Sequence, residues 1–130
     1  MKTIGPFETK NANLTLISLT DKYLYLIKLS LISSFKYHAS LQIPFLFSRH
    51  TDKIKSESLE KMKNNYSWTQ IELNNDFAIN VSNNNKWKNT ITLNGLTEHY
   101  KLTILERDET DYYISVMQDY YGDRIKIIIE

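Results

Sequence analysis

The chain has 130 residues, of which 42% are hydrophobic, and this is enough to form one folded domain with a core. It has no cysteine, which excludes disulfides and cysteine-based zinc sites, and its formal net charge of +1 gives no general attraction to nucleic acid or membranes. No stretch has the length and apolar content of a signal peptide or a membrane span. We therefore expect a single domain over residues 1–130, located in the cytoplasm and not associated with membranes.

Strict alternation of apolar and polar residues predicts strands in the first half of the chain. Residues 1–13 are expected to form a weakly structured lead-in. Two alternating stretches, Leu14–Thr20 and Tyr23–Ile32, flank a two-residue turn at Asp21-Lys22. A third, Phe35–Ser48, is expected to pair with the second through an odd-length loop or a bulge, since only then do the apolar faces match. The register predicted for the first hairpin is Leu14–Leu29, Leu16–Ile27, Ile17–Leu26 and Leu19–Leu24.

Residues 48–65 lack this alternation and carry apolar side chains at helical spacing. They predict one short amphipathic helix at about 52–64, with Thr51 or Asp52 as its cap. Because the segment is highly charged, we expect the helix to lie across one face of the sheet or on its rim.

Residues 66–105 predict a four-stranded antiparallel meander. Its turns are expected at Asn74-Asn75-Asp76, at Asn83-Asn84-Asn85 and at Asn94-Gly95, the last as a two-residue type I′ turn. This arrangement makes Trp87 a core residue. The predicted pairs are Leu73–Phe77, Ile71–Ile79, Thr69–Val81, Val81–Trp87, Phe77–Ile91, Leu93–Leu96 and Trp87–Leu102.

The stretch that begins at Asp108 allows two interpretations. It can be a helix from about 109 to 121, with Asp108 or Thr110 as its cap, or a strand. We favour the helix because the segment starts with acidic residues and contains methionine and glutamine, and Gly122 follows it in the position of a helix C-cap glycine. The stripe buried by the helix would be Tyr113, Val116, Met117 and Tyr120, and the face buried by the strand would be Tyr112, Ile114 and Val116. Arg124–Glu130 predicts a last strand, apolar enough to be expected inside the sheet.

Together these elements predict an α+β fold that is predominantly β. The alternating strands have one apolar face and one mostly polar face, as in antiparallel sheets. We expect an antiparallel meander or a barrel-like sheet of about seven to nine strands, with one or two short helices at about 52–64 and 109–121.

No pattern in the sequence specifies a reaction. The three histidines, His38, His50 and His99, lack metal-ligand spacing, and the three glycines are too far apart for a phosphate-binding loop. The serines lack the context of a nucleophile elbow. We therefore predict no catalytic residue, no metal site and no cofactor, and we interpret the protein as a non-enzyme.

The C-terminal segment has the most distinctive charge pattern. Residues 106–130 contain three basic and seven acidic residues, a local net charge of −4, and the acids surround four tyrosines. Tyrosine provides contact area at low entropic cost, and carboxylates attract a basic partner. We therefore predict a partner-binding face in this segment. Its residues are Asp108, Glu109, Asp111, Tyr112, Asp119 and Tyr121.

Three functions are compatible with these features. The first is a small intracellular inhibitor that binds a basic protein, similar in size and in lack of catalytic motifs to toxin-immunity and phage anti-defence proteins. The alternative is a β-barrel carrier of a small ligand. The third is a nucleic-acid binder that uses residues 1–66, with ten basic and five acidic residues. We favour the first, because the basic residues are spread out and carry no RNA-binding signature. The lysines of the predicted first helix are Lys53, Lys55, Lys61 and Lys63.

Overall fold

The computed structural model describes residues 1–11, 13–29, 50–83 and 87–130. The strands are β1 (Lys2–Glu8), β2 (Leu14–Leu19), β3 (Tyr23–Lys28), β4 (Ser67–Glu72), β5 (Ala78–Ser82), β6 (Asn89–Asn94), β7 (His99–Ile104) and β8 (Lys126–Ile129). The helices are α1 (His50–Lys55), α2 (Leu59–Asn65) and α3 (Thr110–Tyr121), the last preceded by a 3₁₀-helix, Arg107–Glu109.

The described strands form one sheet of eight strands in the order β4-β3-β2-β1-β7-β6-β5-β8. Neighbouring strands are antiparallel except β5 and β8, which run parallel. The prediction of an α+β, predominantly β fold is confirmed. The sheet is open, with β4 and β8 at its edges, so the barrel-like form is not adopted.

Two apolar clusters lie on the two sides of the sheet. On one side, Met117 and Tyr121 of α3 pack among apolar side chains from strands β1 to β7. On the other side, Ile54 of α1 and Met62 of α2 pack against β2 and β3. Both sides of β2 and β3 are therefore buried, which explains why every residue of β2 is apolar, serine or threonine and buried.

The first hairpin has the predicted register. Leu16 pairs with Ile27 and Leu19 pairs with Leu24, while the Leu29 N–H donates to the Leu14 carbonyl at 2.9 Å. The predicted strand Phe35–Ser48 and its loop lie outside the described residues.

The first strand, β1, corrects the expectation of a weakly structured lead-in. It lies in the middle of the sheet, between β2 and β7. A bulge between Ile4 and Phe7 interrupts its pairing with β2, and Gly5 in the bulge has a φ of 126°. The bulge hides the strand in the sequence, because its one extra residue breaks the alternation of apolar and polar positions.

The predicted hairpin between β4 and β5 is wrong. β4 pairs with β3, with Ile71 opposite Leu24, and β5 lies between β6 and β8. Both β3 and β5 have apolar residues at alternate positions, so either strand could place an apolar side chain opposite Ile71. The alternation therefore defines the buried face of β4 but does not choose its partner.

The two following hairpins have registers shifted by four residues from those predicted. Val81 pairs with Ile91 instead of Trp87. The last hairpin begins at the pair Asn94–His99, and Gly95 is not among the glycines with positive φ, so the type I′ turn is wrong. A shift of four keeps every side chain on its face, so the faces are right although the partners are not. Trp87 precedes β6 and is 81% exposed, which overturns its core assignment.

The helix predicted at 52–64 is two helices, separated at residues 56–58. Asp52 lies inside α1 and does not cap it, whereas Ser58 caps α2 by accepting a hydrogen bond from the Lys61 N–H at 3.2 Å. Ile54 of α1 and Met62 of α2 belong to the same apolar cluster.

The helical interpretation of the C-terminal segment is confirmed as α3, but the cap and the last strand differ. Asp108 lies in the 3₁₀-helix, and Thr110 is the first residue of α3, where its hydroxyl donates to the Arg107 carbonyl at 2.7 Å. β8 lies at the edge of the sheet, not inside it, and Ile129 is 44% exposed. After α3 crosses the sheet, the chain returns beside β5, and β8 pairs with the outer side of that strand.

Candidate functional site

The helix α3 positions most residues of the predicted partner-binding face. Its buried residues recur at helical spacing, which leaves the opposite side of the helix exposed. The residues buried against the sheet are Thr110, Tyr113, Ile114, Val116, Met117 and Tyr121. The name α3 surface is used here for the exposed side chains of Asp108, Glu109, Asp111, Tyr112 and Asp119.

Tyr121 does not belong to the α3 surface. Its side chain is fully buried, so the prediction that it is an exposed anchor is wrong. Its hydroxyl donates to the Thr20 carbonyl at 2.7 Å and lies 3.1 Å from the Tyr23 carbonyl oxygen. Burial raises the pKa of Tyr121 above its ordinary value. Tyr121 therefore attaches the end of α3 to the turn between β2 and β3.

Tyr112 is the exposed aromatic residue of the α3 surface, as predicted. It is 45% exposed. The Lys2 ammonium lies 5.7 Å from the centroid of its ring, and the contact with Tyr112 raises the pKa of Lys2. The Lys2 ammonium thus contacts the Tyr112 ring, and the exposed part of the ring can contact a partner.

The carboxylates of the α3 surface lie mainly at one end of the helix. Asp108, Glu109 and Asp111 surround its first turn, whereas Asp119 lies seven residues beyond Tyr112, about 10 Å further along the helix. All four are exposed, and within the described ranges none forms an ion pair. The structure therefore brings three of the predicted acids close to Tyr112 and leaves the fourth apart.

A recess of about 440 Å³ opens beside Tyr112, between the start of β1, α1 and α3. Asp52 and Glu57 line it, together with Lys2 and Lys55. Lys55 is already engaged, because its ammonium lies 3.2 Å from the Asp52 carboxylate and donates to the Gly5 carbonyl at 2.9 Å. The recess adds carboxylates to the site that the sequence did not indicate.

Two carboxylates near the recess are in unusual surroundings. The Oε2 atom of Glu57 is buried and has no hydrogen-bond partner among the described residues. Glu106 is half-buried and accepts a long hydrogen bond, 3.4 Å, from the Tyr113 hydroxyl. Loss of solvation raises the pKa of Glu106, and the nearby Lys55 ammonium opposes this shift. Asp52 is paired with Lys55 and Glu106 accepts from Tyr113, so the Glu57 Oε2 atom is the carboxylate oxygen here that is buried without a donor among the described residues.

The lysines of α1 and α2 are largely engaged within the protein. The Lys61 ammonium lies 3.9 Å from the Glu57 carboxylate, and the Lys63 ammonium lies 4.4 Å from the Tyr25 ring centroid and 4.5 Å from that of Trp68. Lys55, Lys61 and Lys63 thus contact groups of their own chain, whereas Lys53 is exposed.

No group of three or more potential metal ligands occurs in the part of the chain that the structure describes. His99 is exposed, and its Nδ1 lies 2.6 Å from the Asn94 Oδ1, so the ring is held by a neighbouring strand residue. His38 and the side chain of His50 lie outside the described residues.

The described helices are all too short or too polar to cross a membrane. The sequence matches no protein-family model, no curated protein and no solved structure. Any functional interpretation therefore depends on the geometry and chemistry of the molecule itself.

Proposed function

We propose that this protein is a small non-catalytic binding module that inhibits another protein, and that a basic patch of its partner docks on the α3 surface. The position of Tyr112 carries the proposal. Its ring is exposed at the end of α3 that also presents Asp108, Glu109 and Asp111, none of them in an ion pair within the described ranges. An exposed aromatic ring beside unpaired carboxylates combines an apolar anchor with long-range attraction.

The recess beside Tyr112 supports a basic partner. The Glu57 Oε2 atom is buried with no hydrogen-bond partner among the described residues, and such a group costs free energy unless a donor reaches it. A lysine or arginine side chain that enters the recess would supply this donor to the Glu57 carboxylate. The aromatic wall formed by Tyr112 would contact the apolar part of the same side chain.

Helix stability alone does not account for the acidic residues. Asp108, Glu109 and Asp111 lie at the start of α3, where negative charge stabilises the helix by about 0.3–1 kcal/mol each. Asp119 lies in the last turn, where a carboxylate is unfavourable and where the helix itself contains no basic residue. Neither the exposure of Tyr112 nor the place of Asp119 benefits the helix, which favours a role in binding.

The proposed class is that of intracellular inhibitors such as toxin-immunity and phage anti-defence proteins. The length of 130 residues and the absence of catalytic motifs support a function by binding. The absence of cysteine is compatible with the reducing cytoplasm as the place of action.

The test begins with capture of partners from the organism that encodes the chain, followed by binding kinetics with the purified partner. Tyr112→Ala should lower the affinity about 30-fold, the effect of losing an aromatic anchor worth 2 kcal/mol. The double change Asp108→Asn and Asp111→Asn should mainly slow association and reduce its dependence on salt. Thermal unfolding should show that both variants stay folded.

The control is the double change Glu72→Gln and Asp76→Asn, which removes the same charge from exposed positions on and after β4. If this control slows association as much as the α3 double change, net charge and not the α3 surface attracts the partner. If the α3 variants bind with unchanged affinity and rate, the proposed face is wrong.

A further inference from the structure

A cleft of about 330 Å³ opens between β4 and β7. In the sheet these strands are separated by β3, β2 and β1, so the sheet must curl for both to line one cleft. β1 allows this, because it pairs with β7 only through Phe7 and Glu8, after its bulge. Residues 99–102 of β7 extend past the end of β1 and form one wall of the cleft.

The inner part of the cleft is apolar. Leu26 and Leu102 belong to the buried core, and the half-buried Tyr100 packs against it. Thr69 lies opposite Leu26 in the sheet register, and residues directly opposite in an antiparallel pair share a face, so its hydroxyl lies beside this apolar area. The cleft therefore offers an apolar floor with hydroxyl groups at its side.

The rim of the cleft is positively charged. Lys10, Lys28 and Lys101 line it together with His99, and its lining residues include no aspartate or glutamate. Lys28 follows Leu26 by two residues in β3, so both side chains lie on the same face of the strand. None of these three lysines forms an ion pair among the described residues. The cleft thus concentrates positive charge in a chain whose net charge is only +1.

We propose that this cleft binds a small anionic amphiphile, a molecule with a compact apolar body and one carboxylate, phosphate or sulfonate group. The apolar body would be removed from water against Leu26, Tyr100 and Leu102. The anionic group would lie at the rim, where Lys10 and Lys28 provide charge-assisted hydrogen bonds. The volume is at the small end of the range for ligand sites, about 300–1,000 Å³, so the body is the size of one or two rings.

The experiment compares two fluorescent probes that share one ring system and differ in charge. 1-Anilinonaphthalene-8-sulfonate carries a sulfonate, and N-phenyl-1-naphthylamine is its neutral analogue. We expect the sulfonate to bind with 1:1 stoichiometry and about tenfold more tightly than the neutral analogue. The double change Lys10→Gln and Lys28→Gln should remove most of this difference and should change the affinity of the neutral analogue less than about twofold. Displacement of the bound sulfonate by octanoate or by phenyl phosphate would then tell a carboxylate ligand from a phosphate ligand.

The matched control is Lys53→Gln with Lys126→Gln, which removes the same charge from exposed positions outside the cleft. It should change the affinity for the sulfonate less than about twofold, and amide shifts on binding should centre on Lys28 and Tyr100. An equal loss in the control, shifts that centre elsewhere, or no saturable binding would overturn the proposal. Displacement by a single-stranded oligonucleotide with a steep salt dependence would overturn it too, in favour of a nucleic-acid site. None of these outcomes bears on the α3 surface, which contributes no residue to the cleft.

Discussion

Removal of the Tyr121 hydroxyl should destabilise the fold although it changes no exposed group. The hydroxyl donates to the Thr20 carbonyl at 2.7 Å and lies 3.1 Å from the Tyr23 carbonyl oxygen. The Tyr23 carbonyl also accepts hydrogen bonds from the backbone N–H and the hydroxyl of Thr20, at 3.0 and 2.8 Å, so it keeps partners in the variant. The loss therefore falls mainly on the Thr20 carbonyl. We expect Tyr121→Phe to lower the free energy of unfolding by about 1–2 kcal/mol.

The pH dependence of this effect follows from the raised pKa of Tyr121. Above pH 10 the unfolded chain releases the tyrosine proton while the folded state keeps it, so the contribution is complete below pH 10 and is lost as the pH rises towards the folded pKa. Phenylalanine has no such proton. The difference in unfolding free energy between wild type and Tyr121→Phe should therefore shrink by about 1 kcal/mol between pH 10 and pH 11.

Urea unfolding followed by circular dichroism at pH 7, 10 and 11 measures both effects. The matched control is Tyr112→Phe, which removes the hydroxyl of the exposed tyrosine and should change stability by less than about 0.5 kcal/mol. If Tyr121→Phe were as stable as wild type at pH 7 and followed the same pH dependence, the buried position of Tyr121 would be wrong. Tyr121 would then again be a candidate residue for contact with a partner.

Four further substitutions test the fold and its electrostatics. Ile91→Ala should cost about 2–5 kcal/mol in urea unfolding, whereas Trp87→Ala should cost less than about 1 kcal/mol; the reverse ranking would restore the register in which Trp87 is a core residue. Gly5→Ala should cost about 1–3 kcal/mol by the same measurement, because φ at this position is 126°, and an unchanged midpoint would contradict this backbone conformation. Burial raises the pKa of Glu106, so ionisation of this carboxyl group opposes folding as the pH rises above about 4.5. Glu106→Gln should therefore be more stable than wild type at pH 7 and should lose that advantage at pH 4. A difference in unfolding free energy that stays constant between these pH values would refute the shift.

The alternation of side chains predicted faces better than partners. For β2 and β3 the short turn at Asp21-Lys22 leaves one register that matches both faces, and that register is observed. Where the loop can lengthen, as between β6 and β7, a shift of four residues preserves both faces. The choice of β3 as the neighbour of β4 depends on the packing of the whole sheet, and the local sequence contains no information about it.

The central position of β1 was hidden for a different reason. Its bulge at Gly5 breaks the pattern that marks a strand, and one of its neighbours, β7, lies almost a hundred residues away in the chain. Pairing over such a distance leaves no local signal. The hidden position of β1 also affects the functional interpretation, because the curl of the sheet at β1 forms the cleft. The alternation pattern could not reveal that cleft.

The candidate site was predictable where it lies on one element. The acidic residues and the exposure of Tyr112 followed from the helical interpretation of a short segment. The prediction that Tyr121 is exposed was wrong because the buried arc of α3 is centred close to Met117. This arc includes Tyr121 and leaves Tyr120 half-buried at its border. Glu57 was missed because it joins the site from another part of the chain, through the packing of α1 beside β1.

The acidic excess of the C-terminal segment and the basic excess of the first half are distributed differently in the fold. Asp108, Glu109 and Asp111 of the acidic excess stay together around the start of α3, whereas Asp119 lies further along the helix. The basic excess of the first half divides: the lysines of α1 and α2 mostly contact groups of their own chain, whereas Lys10 and Lys28 line a cleft with Lys101 from the second half. The cleft and the α3 surface share no residue, so Lys10→Gln with Lys28→Gln tests one and Tyr112→Ala tests the other. Ligand binding without a protein partner would favour a carrier, and a partner lost with Tyr112 would favour an inhibitor, so the two proposals can succeed or fail independently.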